Sequence, residues 1–238
     1  MLSAALDAGY THFDTARMYG EGMAERELGR FLGKTRQQVT IATKFGIPAM
    51  AAFEHFPPLM YAHRALGGIG RRLMPLWWDR RQRILTRESA EISLTHSLKA
   101  LQTDWVDVLF VHEPQPFEVG ALLNMANWLE QQKASGRVRY LGLAGNAHHC
   151  IAVAQQTGDL FEVLQVEDSL AACEADAVTA AGRPLQITFG YLRQAAAAQP
   201  QPDGLAVIKA ALARNPHGMI LVSSRQPERL GALAALAA

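Results

Sequence analysis

The chain has 238 residues, 49% of them hydrophobic, with a formal net charge of +1. That length buries a large core in one α/β domain or two small ones, and near-neutral charge argues against nucleic acid as a bulk electrostatic partner. Two cysteines, an N-terminus without a basic leader, and no run of roughly 18 apolar residues favour a cytoplasmic protein that stays out of the membrane.

Taken in order, the chain opens inside a helix, LSAALDAG, and then alternates short apolar runs with helix-period stretches. The runs are THFDTA, VTIATKF, WVDVLFVH, VRYLGLAG, FEVLQVE, LQITFG and GMILVSS. Several are continuously apolar, as expected for strands buried on both faces of a parallel sheet. Residues 87–101 place Leu94, Leu98 and Leu101 on one helical stripe behind a candidate N-cap, Thr86. A second helical stretch ends at Gly136, a candidate C′ glycine, and further helices are expected over 205–214 and 227–237.

Two segments interrupt the rhythm. Residues 47–85 form a long insertion rich in aromatic and basic residues, too long for an ordinary connection. Phe53, Phe56, Tyr61, Trp77 and Trp78 suit a lid over an apolar substrate. Arg64, Arg71, Arg72, Arg80, Arg81 and Arg83 suit an acidic partner or a membrane surface, and a solvated decoration is the third reading. Residues 195–204, AAAAQPQPDG, read as a flexible low-complexity loop.

Repeated β–α units of this size build either a doubly wound sheet or a (β/α)8 barrel. Seven strand candidates are present, and the expected place of an eighth lies upstream of Met1. In a parallel barrel, chemistry sits where strands end. Asp14, Lys44 and His112 stand at such ends, and Tyr19 follows Asp14 on the same loop. Taken singly, each has a plainer role: a helix cap, a half-buried aromatic, a strand-end cation, a structural imidazole. His148, His149 and Cys150 have no further ligand at metal spacing, so no metal is expected.

The stretches DAGYTHFDTARMYGEGMAERELGRFL, IATKFG, SLKALQTDWVDVLFVHEP and ILVSSRQPERL resemble, in order, the aldo-keto reductases. The resemblance implies one domain over residues 1–238, a (β/α)8 TIM barrel here lacking its first strand. It implies reduction of an aldehyde or ketone to an alcohol by hydride from NADPH, with a tetrad of Asp14, Tyr19, Lys44 and His112. The alternative is a truncated, inactive reductase-like barrel that binds or interacts without turnover. Physical logic accords with the tetrad, because a carbonyl receiving hydride needs a proton donor, and an ammonium beside a phenol lowers its pKa. Asp14 would compensate and hold the lysine, and His112 would orient the carbonyl.

There is no G-x-G-x-x-G after a strand, so no Rossmann fingerprint. The resemblance instead places NADP, or NAD, with its phosphates on Ser223, Ser224 and Arg225 at a helix entry that carries Pro227. Arg229 would meet the 2′-phosphate, and Gln165 the carboxamide. Two positions depart from the family pattern. Ala144 and Gly145 stand in place of a Ser-Asn pair, and Asp168 in place of a tyrosine that stacks on nicotinamide. A small carbonyl substrate and a monomer or weak oligomer complete the expectation.

Overall fold

A computed structural model describes residues 1–49, 82–224 and 226–237. Seven strands form one parallel sheet in sequence order: β1 (His12–Asp14), β2 (Thr40–Phe45), β3 (Val106–His112), β4 (Val138–Gly145), β5 (Val163–Glu167), β6 (Ile187–Phe189) and β7 (Met219–Ile220). Each falls inside a run expected from the sequence. Among the described residues no ladder pairs β7 with β1. The segments flanking the two ends of the sheet nevertheless touch. Helix Leu2–Asp7 touches helix Pro227–Ala234, and the Tyr10 hydroxyl donates to the Leu230 carbonyl at 3.2 Å.

The unbroken apolar run of β3 follows from burial on both faces. Leu109 and Val111 face a large core shared with the helices, whereas Val108 and Phe110 join Ala42, Ala144 and Ile187 in a second cluster inside the sheet's curve. Side chains alternate with period two along a strand. His112 therefore points the same way as Val108 and Phe110, and Lys44 the same way as Ala42. The inner face thus has an apolar floor and a polar rim. That rim is where the chemistry would lie.

Local signals behave as their chemistry dictates. Thr86 and Ser89 bond reciprocally to each other's backbone amides, capping helix Arg87–Leu101. Gly136 follows helix Ala126–Ala134 at φ 77°. The expected loop over 195–204 is shorter than the sequence suggested. Ala195–Ala198 continue helix Tyr191–Ala198, because alanine has the best intrinsic helix propensity even without a hydrophobic stripe. Asp203 then caps helix Gly204–Arg214.

Of the insertion expected at 47–85, residues 50–81 lie outside the described residues. With them go Phe53, Phe56, Tyr61, Trp77, Trp78, Arg64, Arg71, Arg72, Arg80 and Arg81. Its base is described: the Ile84 amide donates to the Gly46 carbonyl at 2.9 Å. No described helix is long and apolar enough to cross a membrane.

Candidate active site

Asp14, at the end of β1, and Lys44, near the end of β2, meet at the rim. Lys44 Nζ donates to Asp14 Oδ2 at 2.5 Å and to the Thr15 carbonyl at 2.9 Å. The lysine side chain is 1% exposed. Burial lowers its pKa, and Asp14, followed by Glu113 and Glu25, acts to raise it. Lys44 is held by geometry on two sides and has no freedom to snorkel to water.

Tyr19 lies over this ammonium, with Lys44 Nζ 5.0 Å from the ring centroid. The loop that brings it there turns through three consecutive left-handed residues, Gly20 (φ 58°), Glu21 (φ 55°) and Gly22 (φ 84°). Glycine adopts that backbone without steric cost, which accounts for the two glycines just beyond Tyr19. A buried pair anchors the same loop to β2. Arg17 Nη1 donates to Glu25 Oε2 at 3.1 Å, and Thr43 Oγ1 donates to Glu25 Oε1 at 2.6 Å.

His112 ends β3 with its ring edge-on to Tyr19, centroids 5.8 Å apart. Burial, Lys44 and Arg83 push its pKa down to about 3, so the imidazole is neutral at physiological pH. Tyr19 shifts the opposite way. Burial raises the phenol, and the charges of Asp14 and Glu113 add to it. The sequence reading had Lys44 lowering this pKa. Lys44, its charge balanced by Asp14, lies under the ring without outweighing burial and those charges.

These four side chains line one cavity of about 770 Å³ together with Glu113, Ala144, Gln165 and Ser223. The strand registers put them in a row. His112 pairs with Ala144, and Ala144 pairs with Gln165. Gln165 is 3% exposed, and among the described residues its Oε1 has no hydrogen-bond partner. Asp14 Oδ1 and His12 Nε2 are likewise buried without partners. Unpaired buried polar atoms are costly in an empty protein and suit a site that a ligand completes.

Residues 1–178 match the model of the aldo/keto reductase family. The chain belongs to that family. This aldo/keto reductase family member is 28% identical over 165 residues to D-threo-aldose 1-dehydrogenase of a Pseudomonas species, covering 67% of this chain and 47% of that protein. It is 30% identical over 147 residues to an aryl-alcohol dehydrogenase of Pestalotiopsis microspora, covering 60% of this chain and 32% of the relative. The chain therefore matches less than half the length of either. Among solved structures, aldo-keto reductase AKR11C1 of Bacillus halodurans superposes at a TM-score of 0.73 and 16% identity, over 99% of this chain and 79% of that one. A Klebsiella pneumoniae aldo-keto reductase in complex with NADPH does so at 0.67 and 19%, over 99% and 77%. At such identities the likeness shows a shared fold.

Other expected positions of this family member fall differently. Ser223 and Ser224 lie past β7, with Ser224 Oγ bonded to the Gln226 backbone amide and carbonyl. Arg229 is exposed on helix Pro227–Ala234, and Arg225 lies outside the described residues. Asp168 is not a carboxylate standing at the mouth where an aromatic would stack. It is wholly buried, accepts from the Tyr191 hydroxyl at 2.5 Å and the Ala175 amide at 3.0 Å, and pairs with Arg214 at 3.3 Å. Arg83, grouped by sequence with cations for an acidic partner, is instead bound inward. It forms a two-bond pair with Glu118, at 2.9 and 2.8 Å, and donates to the His112 carbonyl.

Three residues at the rim escaped the sequence reading: Glu113, His12 and Arg83 as a partner of His112. The signals were available for two of them. His12 stands two residues before Asp14, so period two puts both on one face. Glu113 directly follows the strand-end imidazole. Arg83 sits inside a run of arginines that look alike in sequence.

Proposed function

We propose that this chain reduces a small aldehyde or ketone with NADPH, and that residues 1–238 form one barrel domain. We read its seven parallel strands as part of a (β/α)8 barrel. The observation that carries the reading is the convergence of Asp14, Tyr19, Lys44 and His112, from three β–α units, on one cavity.

In this reading Tyr19 delivers the proton to the carbonyl oxygen, which becomes the alcohol. A raised phenol pKa keeps that proton in place at neutral pH. Lys44, fixed by Asp14 and the Thr15 carbonyl, holds a positive charge beneath the ring, where negative charge on the phenolate oxygen would develop. Neutral His112 directs a ring N–H at the carbonyl oxygen and orients it. The dinucleotide, when bound, supplies the hydride. The residues present fit such a group, because the orphaned acceptor Gln165 Oε1 suits a carboxamide N–H. Ser223, Ser224 and Arg225 would take the phosphates. Arg229 would take the 2′-phosphate that separates NADP from NAD.

A second reading, a reductase-like barrel that binds without turnover, has one observation in its favour. Burial and the charges of Asp14 and Glu113 raise the Tyr19 pKa, which makes the phenol a weaker acid. Titrating NADPH against protein fluorescence, followed by aldehyde-dependent loss of NADPH absorbance, separates the two. Saturable binding with turnover supports the reductase. Binding without turnover selects the second reading, and no binding overturns the first.

A further inference from the structure

The charges around the mouth do not cancel, and the residue left over is Glu113. Lys44 is taken up by Asp14, Arg83 by Glu118, and Arg193 by Glu167. Among the described residues the Glu113 carboxylate has no ion pair of its own. Glu113 is exposed at the opening, and its pKa is raised by partial desolvation and by Glu167, with Arg83, Arg193 and His149 acting the other way through space. In turn its charge is felt by Tyr19, Lys44 and Cys150, so the carboxylate stands within electrostatic reach of the proposed proton donor.

The chain is built to hold it there. Glu113 sits at φ 52°, in the left-handed region, directly after β3, with its amide bonded to the Ala144 carbonyl at 2.7 Å. Gly145, beside it on β4, has no side chain to interfere. A Cβ placed there would come 2.8 Å from Glu113 Oε2. Glu113 lines the same cavity as Asp14, Tyr19, Lys44 and His112. An unbalanced carboxylate at this opening calls for a ligand that brings donors or positive charge, and it opposes one that brings a carboxylate.

We propose that Glu113 is a specificity-determining residue that selects carbonyl substrates bearing a cationic group over those bearing a carboxylate. The inference rests on the reductase reading for turnover, but its charge preference is measurable without any turnover. One carboxylate facing a ligand charge across a partly solvated opening is worth roughly tenfold in kcat/KM at low salt, and less as ionic strength rises. The discrimination therefore fades in high salt. It also fades at acid pH, as Glu113 takes up a proton, while Lys44 keeps its charge.

The test compares para-(trimethylammonio)benzaldehyde, benzaldehyde and para-carboxybenzaldehyde as substrates of the wild-type chain, Glu113→Gln and Glu113→Lys. In parallel, calorimetry measures binding of benzyltrimethylammonium and benzoate to the same proteins, each shown by its melting curve to be folded. The expected result is a cation-over-anion preference of about tenfold in the wild type, abolished in Glu113→Gln and reversed in Glu113→Lys, each charged aldehyde being measured relative to benzaldehyde on the same protein so that any effect on Tyr19 cancels. Turnover with the same charge preference in all three proteins overturns the proposal and leaves the reductase reading standing. A charge preference in binding that follows residue 113, without turnover of any aldehyde, supports the proposal and removes the reductase reading. Binding of neither ion overturns the proposal.

Discussion

Lys44 Nζ and Asp14 Oδ2 are 2.5 Å apart, and the lysine side chain is 1% exposed against 15% for the aspartate. The carboxylate therefore faces the opening while its ammonium lies behind it. Removing the carboxylate leaves a buried charge with only the Thr15 carbonyl as partner. Asp14→Asn should cost about 3–5 kcal/mol of stability at neutral pH. Urea denaturation checks it, and a loss below about 1 kcal/mol would show that water reaches the amine.

Tyr19 gives the cleanest kinetic prediction. Tyr19→Phe keeps the ring that lies over Lys44 and deletes only the hydroxyl. Aldehyde-dependent NADPH oxidation should fall by roughly a hundredfold or more, with NADPH affinity within about twofold of wild type. Stopped-flow turnover and a fluorescence titration on the same sample read both quantities. Undiminished turnover removes Tyr19 from the chemistry.

His112 predicts the acid limb of stability. Its pKa falls from the ordinary 6.5 to about 3 in the folded chain, so between those values the unfolded state binds a proton that the folded state refuses. Stability is fully present above pH 6.5 and declines as pH drops toward 3, by up to about 1.4 kcal/mol per pH unit from this group. His112→Gln should flatten that slope. Denaturation midpoints across the interval test it, and an unchanged slope would place the imidazole in contact with water.

Gln165 separates fold from ligand. Since Oε1 has no partner among the described residues, Gln165→Leu should leave stability unchanged or slightly raised while weakening NADPH binding by roughly tenfold. Melting temperature and cofactor titration should thus move in different directions. A large drop in melting temperature with intact binding would mark the amide as structural.

Asp168 tests an inference that the structure corrected. By sequence, an aromatic at this position would improve cofactor stacking. In the fold, Asp168→Tyr removes the acceptor for the Tyr191 hydroxyl and the Ala175 amide and strands Arg214 beside Asp176 alone. We expect a loss of about 3–5 kcal/mol and no gain in NADPH affinity. A stable variant with tighter binding would restore the stacking role.

Much of this was legible in the chain. The seven strands were readable because each is a short apolar run between helix-period stretches, and some of them carry a polar residue at or next to the end. Three of those polar residues, Asp14, Lys44 and His112, meet at one rim because strand ends in a parallel sheet meet there. What failed to show was anything set by a partner distant in sequence. Asp168 reads as a lost aromatic until Tyr191 and Arg214 are seen around it. Arg83 reads as one more surface cation until the Glu118 carboxylate and the His112 carbonyl are found beside it. Ala195–Ala198 have propensity without periodicity, and periodicity was the signal being read.

The hydrogen bond from Tyr10 to Leu230 spans 220 positions of the chain. A contact between such remote segments carries the heaviest loop-closure entropy, so it belongs to the late stage of folding and to the first excursions out of the native basin. Helix Pro227–Ala234 is thereby the strap of the fold. In the proposed reading Ser223 and Ser224, just ahead of that helix, would hold the dinucleotide phosphates, so loosening the strap would weaken cofactor binding before it disturbed Lys44 and Asp14.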